Sequence, residues 1–131
     1  MALGTVREVM TRDLVTVPPS ASIREAARAM HFRKVGSVLV VDESGKLVGI
    51  FTERDLVKVV AEGKSLDAPV SEAMSRDLIV AKEGDSITAI AHKMLEKWIR
   101  HIPVVDDEGK PVGIVSIRDV LRHVVASGSF P

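Results

Sequence analysis

The chain states one sequence twice. Val6-Arg-Glu-Val-Met10-Thr-Arg12-Asp13-Leu14 returns 64 positions later as Val70-Ser-Glu-Ala-Met74-Ser-Arg76-Asp77-Leu78. The same offset carries Ile23 to Ile87, Val40-Val41-Asp42 to Val104-Val105-Asp106, Gly49 to Gly113 and Asp55 to Asp119. It holds without a gap from Val6 to Val60. Self-similarity at a fixed period decides architecture before any local signal does, and a period this long marks a duplicated small domain rather than a solenoid unit. Two similar halves are expected to pack about a pseudo-twofold axis, so a pocket in one half has a counterpart in the other. The expected boundaries are residues 1–63 for the first repeat, 64–69 for a linker and 70–126 for the second repeat. A frayed tail is expected over Ser127 to Pro131.

Each half is small enough that its core would be marginal alone, so a shared interface is expected. Basic and acidic residues balance at 18 each, with a pI near 6.9, which disfavours nucleic acid as a partner. The absence of cysteine removes disulfides and thiolate metal sites. No leader pattern and no long apolar run is present, so the expectation is a cytoplasmic protein that does not enter a membrane. Aromatic residues make up 3% of the chain and Trp98 is the single tryptophan, which argues against an aromatic base-stacking platform.

The two halves read as one series of elements. A short helix is expected at Val6 to Met10 and Val70 to Met74, then a short strand at Leu14 to Val17 and Leu78 to Ala81. Breaks follow at Pro18-Pro19 and Glu83-Gly84-Asp85. An amphipathic helix comes next, with Ile23, Ala26, Ala27 and Met30 on its face and a capping box at Ser22-Ile-Arg-Glu25. Its second copy starts at Ser86 and carries Ile87, Ile90, Ala91, Met94 and Leu95. A hairpin follows in each half: Ser37 to Val41 with Leu47 to Phe51, and His101 to Val105 with Val112 to Val115. A last helix covers Glu53 to Ala61 and Ile117 to Ala126. The class is α+β, a small sheet with flanking helices in each half.

The chemistry-bearing motif is Gly49-Ile-Phe-Thr52-Glu-Arg54-Asp55 with its twin Gly113-Ile-Val-Ser116-Ile-Arg118-Asp119. A hydroxyl residue opens a helix and aspartate lies three positions later, which by itself makes a capping box. The same geometry suits a ribonucleotide. A helix N-terminus presents unpaired N–H groups and partial positive charge to a phosphate. A carboxylate accepts from the vicinal diol of a ribose. Arginine adds donors, and capping alone does not require arginine at the same place in both copies.

The tandem repeat, the opening Val-x-x-x-Met-[Thr/Ser]-Arg-Asp-Leu, the strand Ile102-Pro-Val-Val-Asp106 and the paired Gly-Ile-x-[Thr/Ser]-x-Arg-Asp resemble a CBS domain pair, or Bateman module. The resemblance runs from Val6 to about Val125. It implies two tandem CBS repeats with two clefts between them that bind adenosine ligands: AMP, ADP, ATP or S-adenosylmethionine. Carried over by position, Asp55 and Asp119 would hold ribose hydroxyls, and Thr52 and Ser116 would contact ribose or phosphate, beside Arg54 and Arg118. Thr16, Val17 and Val80 would line the base. Gly36, Ser37 and Val38, and Arg100, His101, Ile102 and Pro103, would face the ligand from the hairpin starts. Two such modules commonly form a flat, disc-like homodimer.

The copies differ where phosphate would sit. Gly36-Ser37 stands against Arg100-His101, so phosphate donors are expected from the second half, serving a ligand whose ribose is held by Asp55. Lys34 is the alternative donor on the other side. His31, His92 and His123 read as surface or interface residues with no metal-ligand spacing. Asp42-Glu43 and Asp106-Asp-Glu108 read as solvated turns, and Met10, Met30, Met74 and Met94 as packing. No Ser/His/Asp set suggests a nucleophile. The expected function is regulatory binding of an adenine nucleotide, without catalysis, read by a partner protein. A ligand-independent dimerisation module is the alternative. A nucleic-acid module using Arg24, Arg28, Arg33 and Lys34, and a small hydrolase, rank lower.

Overall fold

In the computed structural model, which describes residues 3–128, two dense units share the chain out of step with the repeats. One is Leu14–Leu78; the other joins the residues up to Asp13 with those from Ile79 onward. Of the expected tail, 129–131 lie outside the described residues.

In the first of these units, strand β1 (Thr16–Val17) is followed by helix α1 (Ile23–Arg33), strands β2 (Ser37–Val41) and β3 (Leu47–Thr52), and helix α2 (Glu53–Glu62). A 3-10 turn at Val70–Glu72 completes it. β1 runs parallel to β2, and β2 antiparallel to β3 with Ser37 opposite Thr52. Alternation sends Val38 and Val40 of β2 into the core with Phe51 of β3, where they meet Ile23, Ala26 and Met30 of α1 and Val59 of α2. Each of these valine, isoleucine, phenylalanine and methionine side chains, fully buried, contributes about 1.5–3 kcal/mol. Helix α1 starts because the Ser22 hydroxyl accepts the Glu25 N–H at 3.0 Å, and ends at Lys34 in the left-handed region.

The second unit repeats the plan with helix α3 (Ile87–Lys97), strands β4 (His101–Val105) and β5 (Pro111–Ser116), and helix α4 (Ile117–Ala126). Ile87, Ile90, Met94, Ile102, Val104, Val115 and Val120 form its core. Leu95, expected on the inner face of α3, is 69% exposed. At 3.6 residues per turn it lies roughly 100° around the helix from the centre of the Ile87–Ile90–Met94 stripe.

The opening segments explain the offset between repeats and units. The Val70 N–H donates to the Ala21 carbonyl, the Ser71 N–H to Pro19 and the Ile23 N–H to Ala68. The equivalent bonds in the other unit are Val6 to Asp85, Arg7 to Glu83, and Ile87 to Gly4. Ser75 bridges Ile50, and Thr11 bridges Ile114. Each opening segment thus staples the helix start and the second hairpin strand of the other sequence copy. The expected helices at these places are single 3-10 turns, Val6–Glu8 and Val70–Glu72. The linker is drawn in as well, since Leu66 and Ala68 pack against the core of Leu14–Leu78 and Arg24 pairs with Asp67.

The strand expected at Leu78 to Ala81 is reduced to one parallel bridge, Ala81 with Val104. In the other unit the Leu39 N–H donates to the Val15 carbonyl at 3.0 Å. The counterpart of Leu39 is Pro103, which has no N–H, so that rung is missing and only the bonds through Ala81 remain.

Candidate functional site

In each unit the hairpin-start and helix-start residues expected at a ligand meet at one corner, where the hairpin begins and the last helix starts. The Glu53 N–H donates to the Gly36 carbonyl at 3.1 Å, and the Ile117 N–H to the Arg100 carbonyl at 2.9 Å. These bonds pin the first hairpin residue against the first turn of α2 or α4. Ser37 lies opposite Thr52 and His101 opposite Ser116. Thr16 pairs with Leu39, two residues along from Ser37.

Both helices begin with full capping boxes. The Thr52 N–H donates to Asp55 Oδ2 at 2.9 Å, the Thr52 hydroxyl to the same oxygen at 3.1 Å, and the Asp55 N–H returns to Thr52 Oγ1 at 3.3 Å. The Ser116 N–H donates to Asp119 Oδ2 at 2.8 Å, and the Asp119 N–H to Ser116 Oγ at 3.1 Å. Capping uses one carboxylate oxygen. The other is held loosely: Asp55 Oδ1 has the Ser75 hydroxyl at 3.5 Å, and Asp119 Oδ1 has the Arg122 guanidinium at 3.8 Å. Each aspartate therefore closes its helix and keeps an oxygen able to accept from a diol. Capping and ligand binding are compatible uses of the same side chain.

The remaining candidates divide by exposure. Arg54, Arg118 and Arg100 are exposed, and none makes an ion pair among the described residues. Thr16 is exposed, and Gly36, Val80 and His101 are half-buried. Ser37, Val17 and Pro103 are buried. Val38 and Ile102 have no exposed surface, because strand alternation points both into the cores; at those positions only backbone is left for a ligand. Lys34 serves as the left-handed cap of α1.

Two neighbours of the carboxylates were not among the expected site residues. Ser75 belongs to the Met-[Thr/Ser] motif, whose hydroxyl was the available signal, and Arg122 lies one turn beyond Asp119's capping box. His31 and His92 are exposed, while His123 Nε2 lies 2.7 Å from the Leu3 carbonyl and ties the chain start to α4. No group of three or more metal-capable side chains occurs among the described residues.

The model of the CBS domain matches the chain twice, over residues 6–62 and 70–126. The CBS domain-containing protein YhcV of Bacillus subtilis is 36% identical over 128 residues, covering 97% of this chain and 90% of its own. The CBS domain pair of protein MJ0100, solved with 5'-methylthioadenosine and S-adenosyl-L-methionine, superposes with a TM-score of 0.87 at 34% identity, covering 95% of this chain and 97% of that one. The CBS domain protein PAE2072 of Pyrobaculum aerophilum, complexed with AMP, superposes at 0.84 with 29% identity, covering 93% and 98%. The chain spans 73%, 61% and 22% of the length of three further curated relatives.

Proposed function

The chain belongs to the CBS domain family, as two tandem CBS repeats, and on that footing we propose that it is a regulatory module binding an adenine nucleotide: AMP, ADP or ATP. The observation that carries this reading is the pair of capping aspartates, each with one carboxylate oxygen held only at 3.5 Å or beyond. The ribose diol donates to Asp55 or Asp119, with Thr52 or Ser116 beside it. The α2 and α4 N-termini, Arg54 and Arg118 draw the phosphates. Thr16, Val17 and Val80 lie toward the base. Ser37, Val38, Ile102 and Pro103 hold the hairpin starts in position. Arg100 and His101 add phosphate donors that Gly36 and Ser37 lack. Support comes from MJ0100 and PAE2072, whose structures contain adenosine compounds. The ligand acts by differential affinity for two conformations, which a partner protein reads, and the module performs no catalysis. We place it in the cytoplasm.

Calorimetry with AMP, ADP, ATP, GTP and S-adenosylmethionine tests this. Asp55→Asn and Asp119→Asn keep the shape of the cap and remove the charge. Losing a charge-assisted bond weakens binding by roughly 10- to 100-fold. Affinity unchanged in both variants sinks the ribose assignment. Arg100→Ala is expected to reduce AMP and ATP binding more than adenosine binding; equal losses remove its phosphate role.

The dimerisation reading has its own support. Val57 and Val60 on α2, and Leu121 and Val125 on α4, are apolar and at least half exposed. Two helices with uncovered apolar faces suit a homodimer. Val60→Asp with Leu121→Asp is expected to halve the mass measured by light scattering; an unchanged mass excludes these faces.

A further inference from the structure

One corner of the fold differs between the two copies in a way the nucleotide reading does not use. In the second unit, the Lys82 ammonium donates to the Asp106 carbonyl at 2.7 Å and lies 3.3 Å from Asp107 Oδ1. Lys82 thereby spans from the segment before α3 to the turn of the second hairpin. At the same offset in the first copy, Asp42 and Glu43 replace Asp106 and Asp107, and Pro18 replaces Lys82. Both acceptors are kept, and the cation is gone.

At that place in Leu14–Leu78 the surface holds a depression of about 450 Å³ between residues 16–20 and 41–43. Its apolar part comes from Val17, Pro18, Pro19 and Val41, and its only titratable side chains are those of Asp42 and Glu43. The turn is built as in the other copy. Asp42 Oδ1 accepts from the Ser44 N–H and hydroxyl and from the Lys46 N–H, just as Asp106 Oδ1 accepts from Glu108 and Lys110. The Asp42 carbonyl accepts the Gly45 N–H at 3.0 Å. The Asp106 carbonyl accepts the matching Gly109 N–H at 3.1 Å and takes the Lys82 ammonium besides. A carbonyl in this turn thus serves two donors. Glu43 makes no ion pair among the described residues.

We infer that this depression receives a primary alkylammonium group, with the Asp42 carbonyl and the Glu43 carboxylate as acceptors and the proline–valine wall covering the methylene stem. The second copy supplies the template from its own chain, in the bonded geometry of Lys82. An alkyl stem along apolar surface with its charged head at a polar rim is how lysine is ordinarily accommodated. The ammonium comes from a lysine side chain of another polypeptide or from a small aliphatic amine. The inference stands independently of nucleotide binding.

The full chain, labelled with nitrogen-15, is titrated with n-butylamine hydrochloride, with a short peptide bearing one lysine, and with the same peptide acetylated at that lysine. Saturable shifts are expected at the amides of Ser20, Val41, Asp42, Glu43 and Ser44 with the first two probes and not with the third. Glu43 is exposed, so Glu43→Gln is expected to weaken binding about three- to fivefold, the scale of an exposed ion pair. Pro18→Lys places an ammonium where Lys82 has one and is expected to abolish the shifts. Spectra away from the pocket check that each variant is folded; if Pro18→Lys is not, Glu43→Gln and Glu43→Lys decide. A peptide that binds more tightly than butylamine assigns a polypeptide source, and equal or weaker peptide binding assigns a small amine. Shifts that do not saturate, that survive acetylation, or that are the same in wild type and the Glu43 variants overturn the inference.

Discussion

Adding one methyl group at Gly49 tests how the opening segments are shared out. Gly49 lies in β3 opposite Val40, in backbone that alanine adopts without strain. A Cβ there would meet the Met74 thioether, 2.8 Å from its Cγ and well inside contact distance of its sulfur. Met74 is 8% exposed and has little room to retreat. Overpacking of this kind costs about 1–3 kcal/mol, against ~0.4–1 kcal/mol gained by stiffening the unfolded chain. Gly49→Ala is therefore expected to destabilise by up to about 2.5 kcal/mol. In a Met74→Ala background the obstruction is gone and the sign reverses, leaving a gain of roughly 0.5 kcal/mol. The coupling energy is about 1–3 kcal/mol.

The mirror pair is Gly113 with Met10, whose sulfur lies 2.7 Å from the added Cβ. There the Thr11 carbonyl is also 3.1 Å away, so Gly113→Ala retains part of its cost even when Met10 is truncated. Urea unfolding followed by circular dichroism supplies the four corners of each cycle, read as midpoint shifts at constant slope. The single tryptophan, 78% exposed, is a weak fluorescence reporter. The decisive comparison is between partners. Gly49 with Met10 and Gly113 with Met74 are expected to be additive within about 0.5 kcal/mol. Coupling between Gly49 and Met10, or additivity between Gly49 and Met74, refutes the exchanged arrangement.

Pro103→Leu supplies the donor that β4 lacks, and the amide at position 103 is expected to resist hydrogen exchange, as is that of Leu39, which donates to the Val15 carbonyl. Rapid exchange at 103 rejects the missing N–H as the reason the neighbouring strand is short. The Asp42 carboxyl is held below its ordinary value of 3.8, chiefly by the Ser44 hydroxyl and then by the Lys46 N–H. Its stabilisation is present at neutral pH and fades as the pH falls through and below that range. Asp42→Asn is expected to lower Tm at pH 7, with the gap to wild type narrowing as the pH falls below 3.8; a Tm gap that is constant with pH contradicts this.

Much of the fold could be read from the chain because local signals repeat. The Thr52–Asp55 and Ser116–Asp119 spacing announced two capping boxes, and both are formed. The strand faces were read less well: Val38 and Ile102, expected to face a ligand, enter the cores beside Val40 and Val104. What escaped depended on long-range pairing. Nothing local to Val6–Thr11 says that its partners are Glu83, Asp85 and Ile114 rather than the matching residues of its own repeat. The missing rung beside Pro103 follows from one imino acid opposite a strand that looks competent by itself. The candidate site was legible as residue types at the hairpin start and the helix start. Their convergence rests on the bonds from Glu53 to Gly36 and from Ile117 to Arg100, which no spacing rule contains.

The exchange of opening segments also sets an order of events during synthesis. The unit Leu14–Leu78 has all of its own residues once Leu78 has left the ribosome. Val6–Asp13 still lack theirs, because Met10's partner Gly113 is made 103 residues later. At ~5–20 residues per second, Val6 and Met10 wait on the order of 5–20 s with their apolar side chains unburied. Val6 and Met10 are thus made before Leu14–Leu78 and seated after it, as the latch of the unit they close.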